Sequence, residues 1–227
     1  MDRFLSLLQF ADGLFPAGAY AHSFGLESCV QSGEVRDGAG VEAFLRAYLE
    51  SSAAPTDAVA AVCTHRAAAS RNVAACLVLD ETLDAMKAAS ELREASRQMG
   101  RQTLRVATSL DVHPLVAEFA QAVADETTPG HHAVVFGMVG GTMQWSALET
   151  TSVYLYSTSA ALVGAALRLL PLGQLVGQRI LWNARSLITR LAAEAQDQDQ
   201  DDMWSFAPAF EISSMRHALL EARLFRS

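Results

Sequence analysis

The chain has 227 residues, 17 of them basic and 25 acidic, for a net charge of −8 and a hydrophobic share of 51%. That length buries a real core in one large or two small domains. The acidic balance disfavours nucleic acid and anionic membrane as partners wherever positive charge is not locally gathered.

Alanine is abundant and aromatics make up only 7% of the chain, a composition that favours packed helices over sheets. Residues 3–11 place Phe4, Leu7, Leu8 and Ala11 on one face of a short helix that stops at Asp12-Gly13. A loop with Pro16, Gly18 and Tyr20 leads to a second helix from about Ser23 to Ser32. Residues 41–53 set Val41, Phe44, Leu45, Tyr48 and Leu49 on one stripe. Pro55 stands where a first helical residue often does, with Thr56 and Asp57 behind it, so a new helix is expected there, reaching about Ala69. Further helices are expected over 73–88, 90–110 and 114–125, and TTPGHH at 127–132 is the clearest internal loop.

From Ala133 to Leu170 the only charges are Glu149 and Arg168, so these helices must be buried nearly all round. The uncharged run 150–167 is long enough to span a bilayer, but six of its residues are Ser or Thr, which suits a buried helix of a soluble protein. Pro171 and Gly173 break the run, and another helix extends to about Gln196. The expected architecture is all-α: a single-domain bundle of about eight to ten helices over 1–196, an acidic linker at 197–203, and a C-terminal helix with a docking tail at 204–227. Ser213 and Ser214 read as the cap of that last helix, with Ile212, Met215 and Leu219 at helical spacing.

Chemistry-bearing motifs are sparse. No Gly-x-x-x-x-Gly-Lys-Ser/Thr phosphate loop occurs, and Lys87 is the only lysine. His131 and His132 are the best metal candidates, but adjacent histidines supply two ligands at most, and a turn at a helix start explains them as well. Arg93, Arg97, Arg101 and Arg105 recur every fourth residue along one helix face, either a solvated stripe or a dock for an acidic or phosphate-bearing partner. Cys29, Cys63 and Cys76 have no ligand spacing, and no basic segment followed by an apolar one opens the chain; a cytoplasmic protein with reduced thiols is expected. The ending Leu-Phe-Arg-Ser is apolar and arginine-bearing where chain ends are normally polar, so it is expected to dock on the body or on another protein.

Taken in order, LFPAGAYAHSFGLES (14–28), SRQMGRQ (96–102), GHHAVVFG (130–137), YSTSAALVGAALRLLPLGQLVGQ (156–178) and SMRHALLEARLFRS (214–227) resemble the urease accessory protein F family (UreF). The resemblance implies an all-helical accessory protein, not an enzyme, with no cofactor of its own and a homodimeric state. It also implies a scaffold bridging a nickel-carrying GTPase accessory protein and a second accessory protein bound to apo-urease, assisting nickel insertion and modulating the GTPase. Aromatic and arginine residues dominate interface energy. The expected contacts for the bridging protein are therefore Trp204, Phe206, Phe210, Met215, His217, Arg223, Leu224, Phe225 and Arg226. For the GTPase they are Pro16, Gly18, Tyr20, Ser23, Gly25 and Glu27 with Arg97 and Arg101. The alternative is an all-α enzyme with its active site around the 14–27 loop, using His22, Ser23 and Glu27 as acid–base groups.

Overall fold

Stripes of helical period condense this chain into helices wound around one that is apolar on every side. A computed structural model describes residues 2–110 and 112–226, so Ser227 of the expected docking tail lies outside the described residues. The helices are α1 (Asp2–Ala11), α2 (Leu26–Gln31), α3 (Gly38–Tyr48), α4 (Val59–Ala69), α5 (Val73–Met86), α6 (Ser90–Ser109), α7 (Pro114–Ala124), α8 (His132–Thr142), α9 (Ala147–Leu169), α10 (Gln174–Ala195) and α11 (Pro208–His217). Among the described residues there is no strand, and the fold is an all-α bundle. No helix among them is long and apolar enough to cross a membrane.

Helix α8 is the axis of the core: every residue from His132 to Gly141 is buried, and it packs on α4, α6 and α9. Its glycines set how closely α4 approaches. A methyl group at Gly137 would collide with the Ala61 carbonyl, and one at Gly141 with the His65 carbonyl. Phe136, Met138, Leu155, Leu162 and Phe119 fill the surrounding layer. The short break at Leu170–Gly173 turns α10 back along α9, where Gly177 lies against Val163 and Leu167.

Pro55 does not start a helix. Residues Leu49–Ala58 continue α3 into α4 as a π-helical segment with Pro55 inside it. Proline brings no N–H, so the Ser51 carbonyl four residues earlier loses an α-helical donor. The main-chain N–H of Phe206 reaches that oxygen at 3.1 Å, Trp204 N–H donates to the Pro55 carbonyl at 3.2 Å, and the Thr56 hydroxyl donates to the Trp204 carbonyl at 2.7 Å. The wide turn is thus completed by a segment about 150 residues further along the chain.

The last helix begins earlier than its serines suggest. Pro208, with its φ already suited to a first turn, opens α11, and Ser213 and Ser214 are buried within it, with Ser213 Oγ 3.3 Å from Cys29 Sγ. The acidic stretch before it faces solvent but is held at its start: Arg66 donates to the Gln196 carbonyl, to the Gln198 carbonyl at 2.8 Å and to Asp199 at 3.3 Å.

Gly137→Ala is expected to destabilise the protein by about 1–3 kcal/mol in urea unfolding, because α4 must shift to admit the methyl. Gly164→Ala, where the added carbon meets nothing within 4 Å, should be neutral or slightly stabilising.

Candidate functional site

The segment between α1 and α2 is a chain of tight turns. Gly18 (φ 86°) precedes a single 3₁₀ turn at Ala19–Ala21, and Gly25 (φ 83°) precedes α2; both occupy the left-handed region where a side chain is strained. These turns sort the segment into two faces. Leu14 and Tyr20 project outward, 92% and 74% exposed, while His22, Ser23 and Glu27 are buried.

Glu27 is the centre of the site. Its carboxylate accepts from Leu224 N–H at 2.7 Å and Phe225 N–H at 3.1 Å, and lies 2.9 Å from His217 Nε2. On the other side, His217 Nδ1 is 2.9 Å from Glu91 of α6, whose second oxygen takes Arg223 at 3.4 Å. Each ring nitrogen faces a carboxylate oxygen, so His217 bridges Glu27 and Glu91. Burial works to raise the pKa of Glu27, yet the bonds from Leu224, His217 and Phe225 outweigh it and hold the carboxyl below its ordinary value of 4.5. Gln31 and Ala21 complete the attachment by bonding Ala222 O at 3.1 Å and Arg226 N–H at 2.9 Å.

Arg168, at the end of α9, ties the outer face together. Its guanidinium lies 3.8 Å from the Tyr20 ring centroid and 4.1 Å from that of Phe225, and donates to the Tyr20 carbonyl at 2.6 Å. Sequence reasoning missed this residue. Its isolation as one of two charges in a 38-residue apolar stretch was the available signal. Beneath the loop lies an open, mainly apolar cavity of about 690 Å³ lined by Phe10, Phe15, Pro16, Phe136, Leu167 and Arg168. The surface so assembled is aromatic, apolar and cationic, the composition that anchors protein–protein contacts.

The structure divides the expected contacts. Trp204, Phe206, Met215 and Leu224 are exposed, and Arg223 and Arg226 face solvent. Phe210, His217 and Phe225 are buried in the chain's own body, Phe210 edge-on to Phe44 at 4.8 Å and Tyr48 at 5.6 Å. In the arginine ladder, Arg97 turns inward to Asp84 at 2.8 Å, and Arg93 donates to the Lys87 carbonyl at 3.1 Å. Arg101 and Arg105 are left exposed, Arg101 4.0 Å from Glu94.

The histidine pair is internal. His131 bonds Ser96 at 3.0 Å and Asp84 at 2.8 Å, while Asp80, fully buried, accepts from Thr128, Gly130 N–H and His131 N–H. His132 packs among Phe136 and Tyr154, and burial lowers its pKa to about 4. Among the described residues, no cluster of three or more His, Cys, Asp or Glu could hold a metal ion. Around the 14–27 loop, both oxygens of Glu27 are occupied and His22 is buried with its pKa lowered to about 4 by desolvation and the nearby Arg226 charge. Glu27 anchors the tail.

A carboxylate whose folded pKa is depressed stabilises its contacts above its unfolded value, and that stabilisation is lost as pH falls through the lower folded value. Protection of the Leu224 and Phe225 amides from hydrogen exchange should persist at about pH 6 and decay from about pH 4.5 downward. Glu27→Gln should remove about 1.5–3 kcal/mol of tail attachment and abolish the pH step. Amides equally protected across the range would show that Glu27 does not hold the tail.

The UreF family model matches residues 35–185. The urease accessory protein UreF of Bacillus sp. (strain TB-90) is 30% identical over all 227 residues of the chain and the whole of the relative. That of Actinobacillus pleuropneumoniae serotype 3 (strain JL03) is 32% identical over the same full lengths, and that of Corynebacterium efficiens is 29% identical over the whole chain and 98% of the relative. The family-model match takes in α3 to α9 and part of α10, the relatives align over the whole chain, and the chain belongs to the UreF family of urease accessory proteins.

Proposed function

We propose that this chain is a urease maturation scaffold that joins a nickel-carrying GTPase accessory protein to a second accessory protein bound on apo-urease, and so assists nickel insertion. The observation that carries the reading is the Glu27 anchor: it spends a buried carboxylate on fixing the C-terminal end beside Tyr20 and Arg168, leaving aromatic, leucine and arginine side chains outward. In this reading residues 1–196 are the body, 197–203 the acidic connection, and the exposed residues of 204–226 the surface for the bridging protein. The GTPase docks on the face of Tyr20 and Arg168, together with Arg101, where cations meet an acidic or phosphate-bearing surface. The working form is a cytoplasmic homodimer, in keeping with three unpaired cysteines.

Co-purification with the two accessory proteins tests both arms. Arg168→Glu should weaken GTPase capture about tenfold or more while leaving capture of the bridging protein intact. Phe206→Ala with Leu224→Ala should do the reverse, at about 2 kcal/mol per anchor. Both variants should retain wild-type helical content by circular dichroism. Undiminished capture of both partners by both variants would overturn the assignment of surfaces.

A further inference from the structure

Residues 203–211 form a strap over the π-helical segment. Beneath it is a small chamber of about 50 Å³, room for a few waters, with a mixed lining in which Lys87, Asp57 and, from the strap, Ser205 sit among Tyr48, Tyr154 and Phe210. Lys87 Nζ lies 2.7 Å from Asp57, and the two side chains are 13% and 6% exposed. An ion pair this dry depends on its cover, because the same charges in water attract only weakly. The cover is held by three hydrogen bonds, to the Ser51 and Pro55 carbonyls and from the Thr56 hydroxyl, and by the Phe210 ring. Trp204 and Phe206 carry their side chains outward on either side of Ser205, 48% and 76% exposed. A partner that takes the whole Trp204 ring must reach its body-facing half, and so competes with those bonds.

We propose that the strap is a gate that opens locally over the Lys87–Asp57 pair, and that a protein docking on Trp204 and Phe206 biases it open. The second half rests on the docking reading of residues 204–226. Coupling of this kind is reciprocal: whatever loosens the strap also favours the partner.

Lys87 is the only lysine in the chain, so amine acylation reports the gate directly. The full-length protein is treated with acetic anhydride alongside Nα-acetyl-lysine as reference amine, and Lys87 is followed by peptide mass spectrometry. Lys87 should react at least tenfold more slowly than the reference. Thr56→Val, which deletes one strap bond in a near-isosteric way, should accelerate it about fivefold. Val116→Ala, a core truncation on α7, should not, although it lowers global stability. Lys87 reacting as fast as the reference, or equal acceleration by Val116→Ala, would overturn the gate. With the purified bridging accessory protein at saturation, acylation of Lys87 should rise further. A complex that forms without that rise overturns the coupling and leaves the docking reading standing. If no complex forms, the docking reading falls, and the first comparison still decides the gate.

Discussion

A carboxylate removed from water must find donors or give up its charge, and Glu27 finds its donors at the opposite end of the chain. That one requirement joins three regions: the first turn of α2, helix α6 through Glu91 and His217, and the last residues of the chain. The outer cluster of exposed Tyr20 and Arg226 around half-buried Arg168 is a by-product of this internal match. Remove the carboxylate and the last residues lose two main-chain acceptors, keeping Arg168 on Phe225, Gln31 on the Ala222 carbonyl and the Ala21 carbonyl on Arg226.

The bundle itself is held by different means. Around α8, stability comes from close approach, with glycines admitting the α4 backbone and alanines and valines filling what remains. The C-terminal segment instead lies on the body through hydrogen bonds to carbonyls and carboxylates, with Phe210 and Phe225 as its buried rings. Apolar packing of the first kind is uniform and resists opening. Discrete polar attachments can be released in part, which is the property expected of regions drawn from the low-stability end of a structure.

Helix existence was legible because apolar residues recur at helical spacing over long windows, and α5, α6, α7 and α10 run close to the expected limits. The loop with Pro16, Gly18 and Tyr20 was legible from its glycines and proline, but the next helix was expected from about Ser23 and begins at Leu26, after the left-handed Gly25. What escaped the sequence were the long-range polar partners. Nothing local to His217 announces Glu27, 190 residues away, and Ser213 and Ser214 look like a cap unless one knows that α2 covers them. Pro55 misled for a related reason: the donor that makes an internal proline tolerable comes from Phe206. Arg97 likewise belonged to a periodic stripe by spacing but to Asp84 by contact.

The attachment at Glu27 is made with the main-chain N–H groups of Leu224 and Phe225. Every amino acid except proline carries that group, so the pose of the tail is indifferent to the side chain at 224, which points outward. Position 224 can therefore vary in size, charge or aromaticity while the backbone stays where the carboxylate put it. The fold keeps one variable letter on a fixed line of text, and recognition of different partner surfaces can be rewritten there without touching the grammar of the core.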